Sequence, residues 1–201
     1  MLLGAVLLYV GAVLCINGIW LYGQARVAAP ARGGAEGAGG AVAVDADPTF
    51  IQGREVAVLN IFTGFVGIAA AVTLMVQGNQ DGDLASIRGG AFILLFAFTY
   101  LWVAYNGYLN AGGHAFGWYC LFVALTAIAA GIYTFRDANG NTASIWLGID
   151  WFAWAVLWGM FFALLALDRP IGRITGLVAL VEGIGTAWVF GFLLLQGTVK
   201  F

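Results

Sequence analysis

Charge is what this sequence has least of. Aspartate, glutamate, lysine and arginine make up 9% of its 201 residues, where soluble domains carry about 25%, so a water-soluble globular fold is excluded. The net charge of −2 argues against nucleic acid as a partner. Histidine occurs once, at His114, and neither a histidine metal site nor a histidine-based triad can be assembled from it. The two cysteines, Cys15 and Cys120, fall in apolar segments, which argues against a disulfide framework. "GIGTAW" from Gly183 is not followed by a basic residue, and "GNQDGD" from Gly78 lacks the remainder of a calcium loop. With no catalytic constellation, no cofactor motif and no metal set, the chain does not read as an enzyme.

What is abundant is apolar surface, with 62% hydrophobic residues and a mean hydropathy of +0.94. A bilayer core needs roughly 20 residues of helix, and six runs satisfy that: about 2–23, 55–77, 88–109, 115–135, 145–167 and 171–196. The expected fold is an all-α integral membrane protein, one six-helix bundle over residues 1–201, with membrane lipid as its surroundings. The first run starts at the methionine without a basic n-region or a small-residue cleavage site, and reads as a retained helix. Residues 24–54 are the one compositional break, an Ala/Gly-rich loop too poor in large apolar side chains to offset its ordering entropy, in which "AVAV" could pair as a short hairpin. Arg26, Arg32, Arg54, Arg169 and Arg173 fall on one side, and only Arg88, Arg136 and Lys200 on the other. The excess of basic residues makes the first side cytoplasmic and puts both termini outside.

"LYVGAVLCINGIW" from Leu8 and "LFVALTAIAAGIY" from Leu121 align without gaps, and three spans separate them, so a repeat of this kind would have inverted topology, as in many transport folds.

Only the last run carries an ionisable side chain in its interior. Glu182 reads as the one acidic residue deep inside a span, where a carboxylate costs a few kcal/mol even on lenient scales. It should face the bundle interior, either as a contact on a polar pathway or as a structural acceptor where "EGIG" loosens the helix. In the fifth run, Trp151, Trp154 and Trp158 stand at i, i+3 and i+7, on one helical face. Trp146 fits an interfacial belt, whereas the other three lie deeper. Helix packing explains such a stripe by default, yet a buried indole N–H wants a partner, so the stripe also suits a flat surface able to donate. In the third run Phe96, Thr99, Tyr100 and Val103 share a face, and in the first Leu7, Val10 and Leu14 make an aliphatic stripe. Taken alone, both are ordinary packing.

Six pieces in order, "LLYVGAVLCINGIW", "LNIFTGFVG", "FAFTYLWVAYN", "WYCLFVALTAI", "DWFAWAVLWG" and "LVEGIGTAW", resemble the urea and amide channel family, AmiS/UreI. They touch all six runs and cover most of the chain outside the Ala/Gly loop. The resemblance implies a bacterial inner-membrane protein with a pore within each protomer and a ring-shaped homo-oligomer, hexameric in the acid-gated member. It also implies passive passage of urea or small amides through two narrow points, for use by an intracellular urease or amidase. Carried over by motif, Phe96, Thr99, Tyr100, Trp151, Trp154, Leu157, Trp158 and Glu182 would border the path, completed by Leu7, Val10 and Leu14. The Trp N–H groups and the Tyr100 and Thr99 hydroxyls would replace lost water. Where the acid-gated member has outer-loop histidines, "GNQDGDLAS" has none. That favours the amide branch and little histidine-driven gating, although Asp81 and Asp83 could still respond at lower pH. Two other readings stay open: a proton-coupled transporter with Glu182 as relay, and a non-transporting membrane sensor or scaffold.

Overall fold

The computed structural model describes residues 2–27, 50–109 and 111–201. Six helices follow in order: α1 (Leu2–Val27), α2 (Gly53–Asp81), α3 (Leu84–Leu109), α4 (His114–Asp137), α5 (Thr142–Leu165) and α6 (Gly172–Leu195). All six are long and apolar enough to cross a membrane, and no strand occurs among the described residues. The "AVAV" hairpin falls outside them.

Several helices overrun their apolar runs. Hydropathy marks how far a helix is immersed in lipid, whereas the helix itself continues as long as its backbone hydrogen bonds do. Thus α2 continues through the polar "GNQD" to Asp81, and only Gly82 and Asp83 join it to α3. Gly82 takes the left-handed conformation, φ +69°, and its N–H donates to the Gly78 carbonyl. Asp83 then caps α3, its carboxylate accepting from the Ala85 N–H at 2.9 Å and from the Ser86 hydroxyl at 2.6 Å. These bonds hold the Asp83 carboxyl below the usual carboxylate range, the Ser86 hydroxyl contributing most. Asn141 caps α5 in the same way, accepting from the Ser144 N–H at 2.9 Å.

The closest packing is within three antiparallel pairs, α2 with α3, α4 with α5 and α1 with α6. Helices in lipid gain no hydrophobic drive to associate, so small residues that admit close packing decide where they touch. In α1 those residues are Gly4, Gly11 and Gly18. A Cβ on Gly11 would stand 2.6 Å from the Trp188 backbone nitrogen, and one on Gly18 would stand 2.6 Å from the Gly176 carbonyl oxygen. The α1–α6 seam is therefore backbone against backbone. The sequence repeat between α1 and α4 is not carried into this packing. A repeat of that kind would pair α5 with α6 as closely as α2 with α3, and α5 meets α6 far less.

Within α6 the helix widens into a π-turn over Gly183–Val189, between regular segments Gly172–Glu182 and Phe190–Leu195. This is the loosening that "EGIG" suggests. π-turns free carbonyl groups and are frequent at functional sites; here the Thr186 hydroxyl donates to the Glu182 carbonyl at 2.6 Å.

Candidate functional site

The seam between α3 and α5 is built from rings. Phe96 stacks on Trp151 (5.5 Å, 29°) and on Trp158 (5.9 Å, 30°), and meets Trp154 edge-on (5.4 Å, 70°). Phe92, one turn away, meets Trp151 edge-on at 5.4 Å. Rings of this size keep the two backbones apart, and a cavity of about 560 Å³ lies along the seam. Leu7, Val10 and Leu14 of α1 and Thr63 of α2 close it on the other sides.

The cavity begins among Leu3, Arg88, Asp137, Ser144 and Phe201 and reaches Leu14, Thr63, Tyr100 and Trp158. Along α5, Ser144 to Trp158 corresponds to about 21 Å of helix, roughly two thirds of a hydrocarbon core of about 30 Å. Among the described residues its only charged lining side chains are those of Arg88 and Asp137, which face each other at 3.9 Å with both side chains substantially exposed. The walls beyond them are apolar or aromatic, apart from hydroxyls and indole N–H groups. His114 is at the opposite end of the bundle, paired with Asp168 at 3.5 Å, so the mouth carries no histidine.

Of the residues singled out from sequence, Leu7, Val10, Leu14, Phe96, Tyr100, Trp151, Trp154, Leu157 and Trp158 line this one cavity. Thr99 and Glu182 do not. Thr99 is fully buried and its hydroxyl donates to the Phe96 carbonyl at 2.6 Å, which leaves that hydroxyl no free donor for a passing solute. The Trp154 indole N–H donates to the Thr186 hydroxyl at 2.9 Å, so this indole is tied to α6. No hydrogen bond to a described residue engages the Trp151 or Trp158 N–H. Trp146 stacks on Phe190 at 5.0 Å and so helps fasten α5 to α6 near the N-terminal end of α5.

Glu182 is buried, with Oε2 lacking a hydrogen-bond partner, and it is not the only acidic residue deep in a span. Asp150 is 1% exposed, its Oδ2 is also unpartnered, and Glu182 is within electrostatic reach. The apolar run starting at Ile145 puts Asp150 near a helix end, but α5 starts earlier, at Thr142. The available signal was its place midway between Trp146 and Trp154, one turn from each, on the face that α6 covers. Asn17 and Asn60 form a buried polar pair that no sequence motif marks. They exchange reciprocal amide bonds of 2.7 and 3.1 Å, and Asn60 also donates to the Val56 carbonyl at 2.9 Å. The pair fastens α1 to α2 about one turn beyond Leu14 and Thr63. Among the described residues no group of three or more histidine, cysteine or acidic side chains could hold a metal.

Six membrane-length helices around an aromatic cavity lined from within a single chain make an architecture suited to a membrane transport protein. The comparisons agree with that class. The AmiS/UreI family transporter profile matches residues 49–198. The chain is 35% identical to the putative amidate substrates transporter protein of Mycolicibacterium smegmatis, over 96% of this chain and 76% of that one. It is 34% identical to the acid-activated urea channel of Helicobacter pylori strain J99, over 96% and 97% of the two chains. In structure it is similar to the Helicobacter pylori urea channel, in a crystal structure covering 100% of both chains and in a closed-state cryo-EM structure covering 98% of this chain and 100% of that one, each with a TM-score of 0.76 and 32% identity. The chain belongs to the AmiS/UreI family, and so to membrane channels and transporters rather than enzymes.

Proposed function

We propose that this protein is a passive channel for urea and short-chain aliphatic amides in the bacterial inner membrane. On this reading both termini lie outside, the protomers form a ring, hexameric by resemblance, and the permeant supplies an intracellular amidase or urease. The observation that carries the reading is the cavity: running for about 21 Å alongside α5, walled by Phe96 and the three tryptophans, and, among the described residues, charged only at its mouth. Urea and short amides are planar and uncharged, so they fit a slot between ring faces, and selectivity follows from pore diameter and lining groups. A hydrated ion would lose too much solvation there. The free indole N–H groups of Trp151 and Trp158 can replace some of the water an amide sheds. Glu182, set behind the tryptophans, acts on the slot through its neighbours, since its carbonyl accepts from the Thr186 hydroxyl that holds Trp154. Stopped-flow uptake of urea or acetamide into proteoliposomes tests this; flux no higher than in empty vesicles rules it out.

A second reading, a proton-coupled transporter, draws support from Asp150 and Glu182, two buried carboxyls in reach of each other. It predicts a change in lumenal pH driven by substrate and abolished in Glu182→Gln.

A further inference from the structure

Apart from Thr142, which opens α5, the described helices hold seven threonines, and six of them use the hydroxyl in one way. Thr73, Thr99, Thr126, Thr134, Thr175 and Thr186 each donate to a carbonyl three or four residues back, at 2.6 to 2.9 Å. That is the expected behaviour of a hydroxyl in a helix with no better partner. Thr63 departs from it. The residue is 2% exposed, its Oγ1 is buried without any hydrogen-bond partner, and it lines the cavity. A buried unpaired hydroxyl is unfavourable, and a membrane interior offers little water to relieve it.

No neighbouring polar side chain takes up this hydroxyl. Gly64 lies against Ala97 and Leu101, Gly90 against Ala71 and Met75, and Gly107 against Gly53 and Ala57, a register that sets Thr63 level with Tyr100 on α3. Tyr100 lines the same cavity, and its hydroxyl makes no hydrogen bond to a described residue. The nearest polar side chains on the adjoining turns, Asn60 and Asn17, spend their amides on each other and on Val56. Thr63 and Tyr100, each with an unpartnered hydroxyl, thus stand level with each other on α2 and α3, at the inner limit of an otherwise apolar slot.

We propose that Thr63 binds the permeant: its hydroxyl, together with that of Tyr100 from the facing helix, forms a hydrogen-bonding station for a small planar amide at the deep end of the cavity. A hydroxyl offers one donor and two acceptor lone pairs, so the station can donate to the amide carbonyl oxygen and accept from its NH2. It lies where the cavity ends, and its bond replaces one to water at the step where desolvation is most complete. The inference rests on the channel reading and adds to it a permeant contact from α2.

The test compares Thr63→Val, which keeps the shape and removes the hydroxyl, with Thr63→Ser, which keeps the hydroxyl. Acetamide permeability in proteoliposomes and thermal unfolding in detergent are measured for each. Thr63→Val is expected to lower permeability about fivefold, the equivalent of roughly 1 kcal/mol for one hydrogen bond, and to leave the unfolding temperature unchanged or raised. Thr63→Ser is expected to stay near the unaltered protein. Tyr100→Phe should lower permeability in the same direction, which keeps the station testable if Thr63→Val does not fold. Thr175→Val, the same change at a hydroxyl bonded within its own helix and away from the cavity, should not alter flux. Permeability unchanged or raised in Thr63→Val and Tyr100→Phe overturns the station while leaving the channel intact. An unaltered protein no more permeable than empty vesicles overturns the channel reading itself.

Discussion

The α1–α6 seam and the α3–α5 seam are opposite solutions to packing two helices in lipid. In the first, glycines at Gly4, Gly11 and Gly18 bring the helices close together, and at Gly11 and Gly18 a single added carbon would collide with backbone. In the second, Phe96 meets all three tryptophans through their rings, the backbones stand apart, and a cavity of about 560 Å³ runs alongside. Small residues seal a bundle, and large flat ones hold it open by a fixed amount. The closed seam fixes α6, and through the Trp154–Thr186 bond it also fixes one wall of the open seam.

The severest way to break this contrast is to put bulk into the closed seam. Gly18→Leu sets a side chain against the Gly176 carbonyl, and overpacking costs about 1–3 kcal/mol or more even where neighbours can move. Here the neighbour is backbone, so the expected outcome is loss of folded protein, read as the monodisperse yield in detergent. Bulk removed from the open seam should do the reverse. Phe96→Ala takes away the ring that touches all three tryptophans, so the protein should fold and conduct larger amides. One methylene ordinarily changes discrimination by about 1–3 kcal/mol, and the expected result is a propionamide-to-urea permeability ratio raised by about tenfold, measured by stopped-flow light scattering.

A smaller effect is expected at the wall tied to α6. Trp154→Phe removes the indole N–H and leaves the Thr186 hydroxyl, already bonded to the Glu182 carbonyl, without its second partner. The loss of about 1 kcal/mol should appear as a modest fall in unfolding temperature together with a change in flux. If stability falls and flux does not change, the stripe is packing and the sensor or scaffold reading gains.

The smallest effect belongs to Asp83, outside the membrane. Its folded carboxyl sits below the usual range because the Ser86 hydroxyl and the Ala85 N–H bond the charged form. Its contribution is therefore fully present above the ordinary aspartate range and is lost only as pH falls through the lower folded value. Asp83→Asn should thus matter at neutral pH and hardly at all in strong acid, seen as convergence of the two unfolding curves. The mouth should show no titration step from histidine, because His114 is at the other end.

The six helices were legible because lipid demands long apolar runs, and nothing else in the chain has that length. The cavity walls were largely legible too: the stripes of α1, α3 and α5 fall at helical spacing, and nine of the residues chosen line one cavity. What escaped was the use of each polar atom. The same spacing is compatible with Thr99 facing a pore or bonding to Phe96, and only the rotamer decides. Asp150 was obscured because an apolar run does not mark where a helix begins, and Thr63 because a lone threonine in "NIFTGF" carries no periodicity. Which pairs of helices touch closely was not legible from the repeat, since α1 and α4 share composition without sharing partners.

The most direct measurement is the permeability of the purified protein in liposomes to urea, acetamide and propionamide, with and without an imposed proton gradient. The expected rates are well above those of empty vesicles, linear in solute concentration, falling from smaller to larger amide, indifferent to the gradient and retained in Glu182→Gln. Saturating uptake that requires the gradient and vanishes in Glu182→Gln would contradict the channel reading.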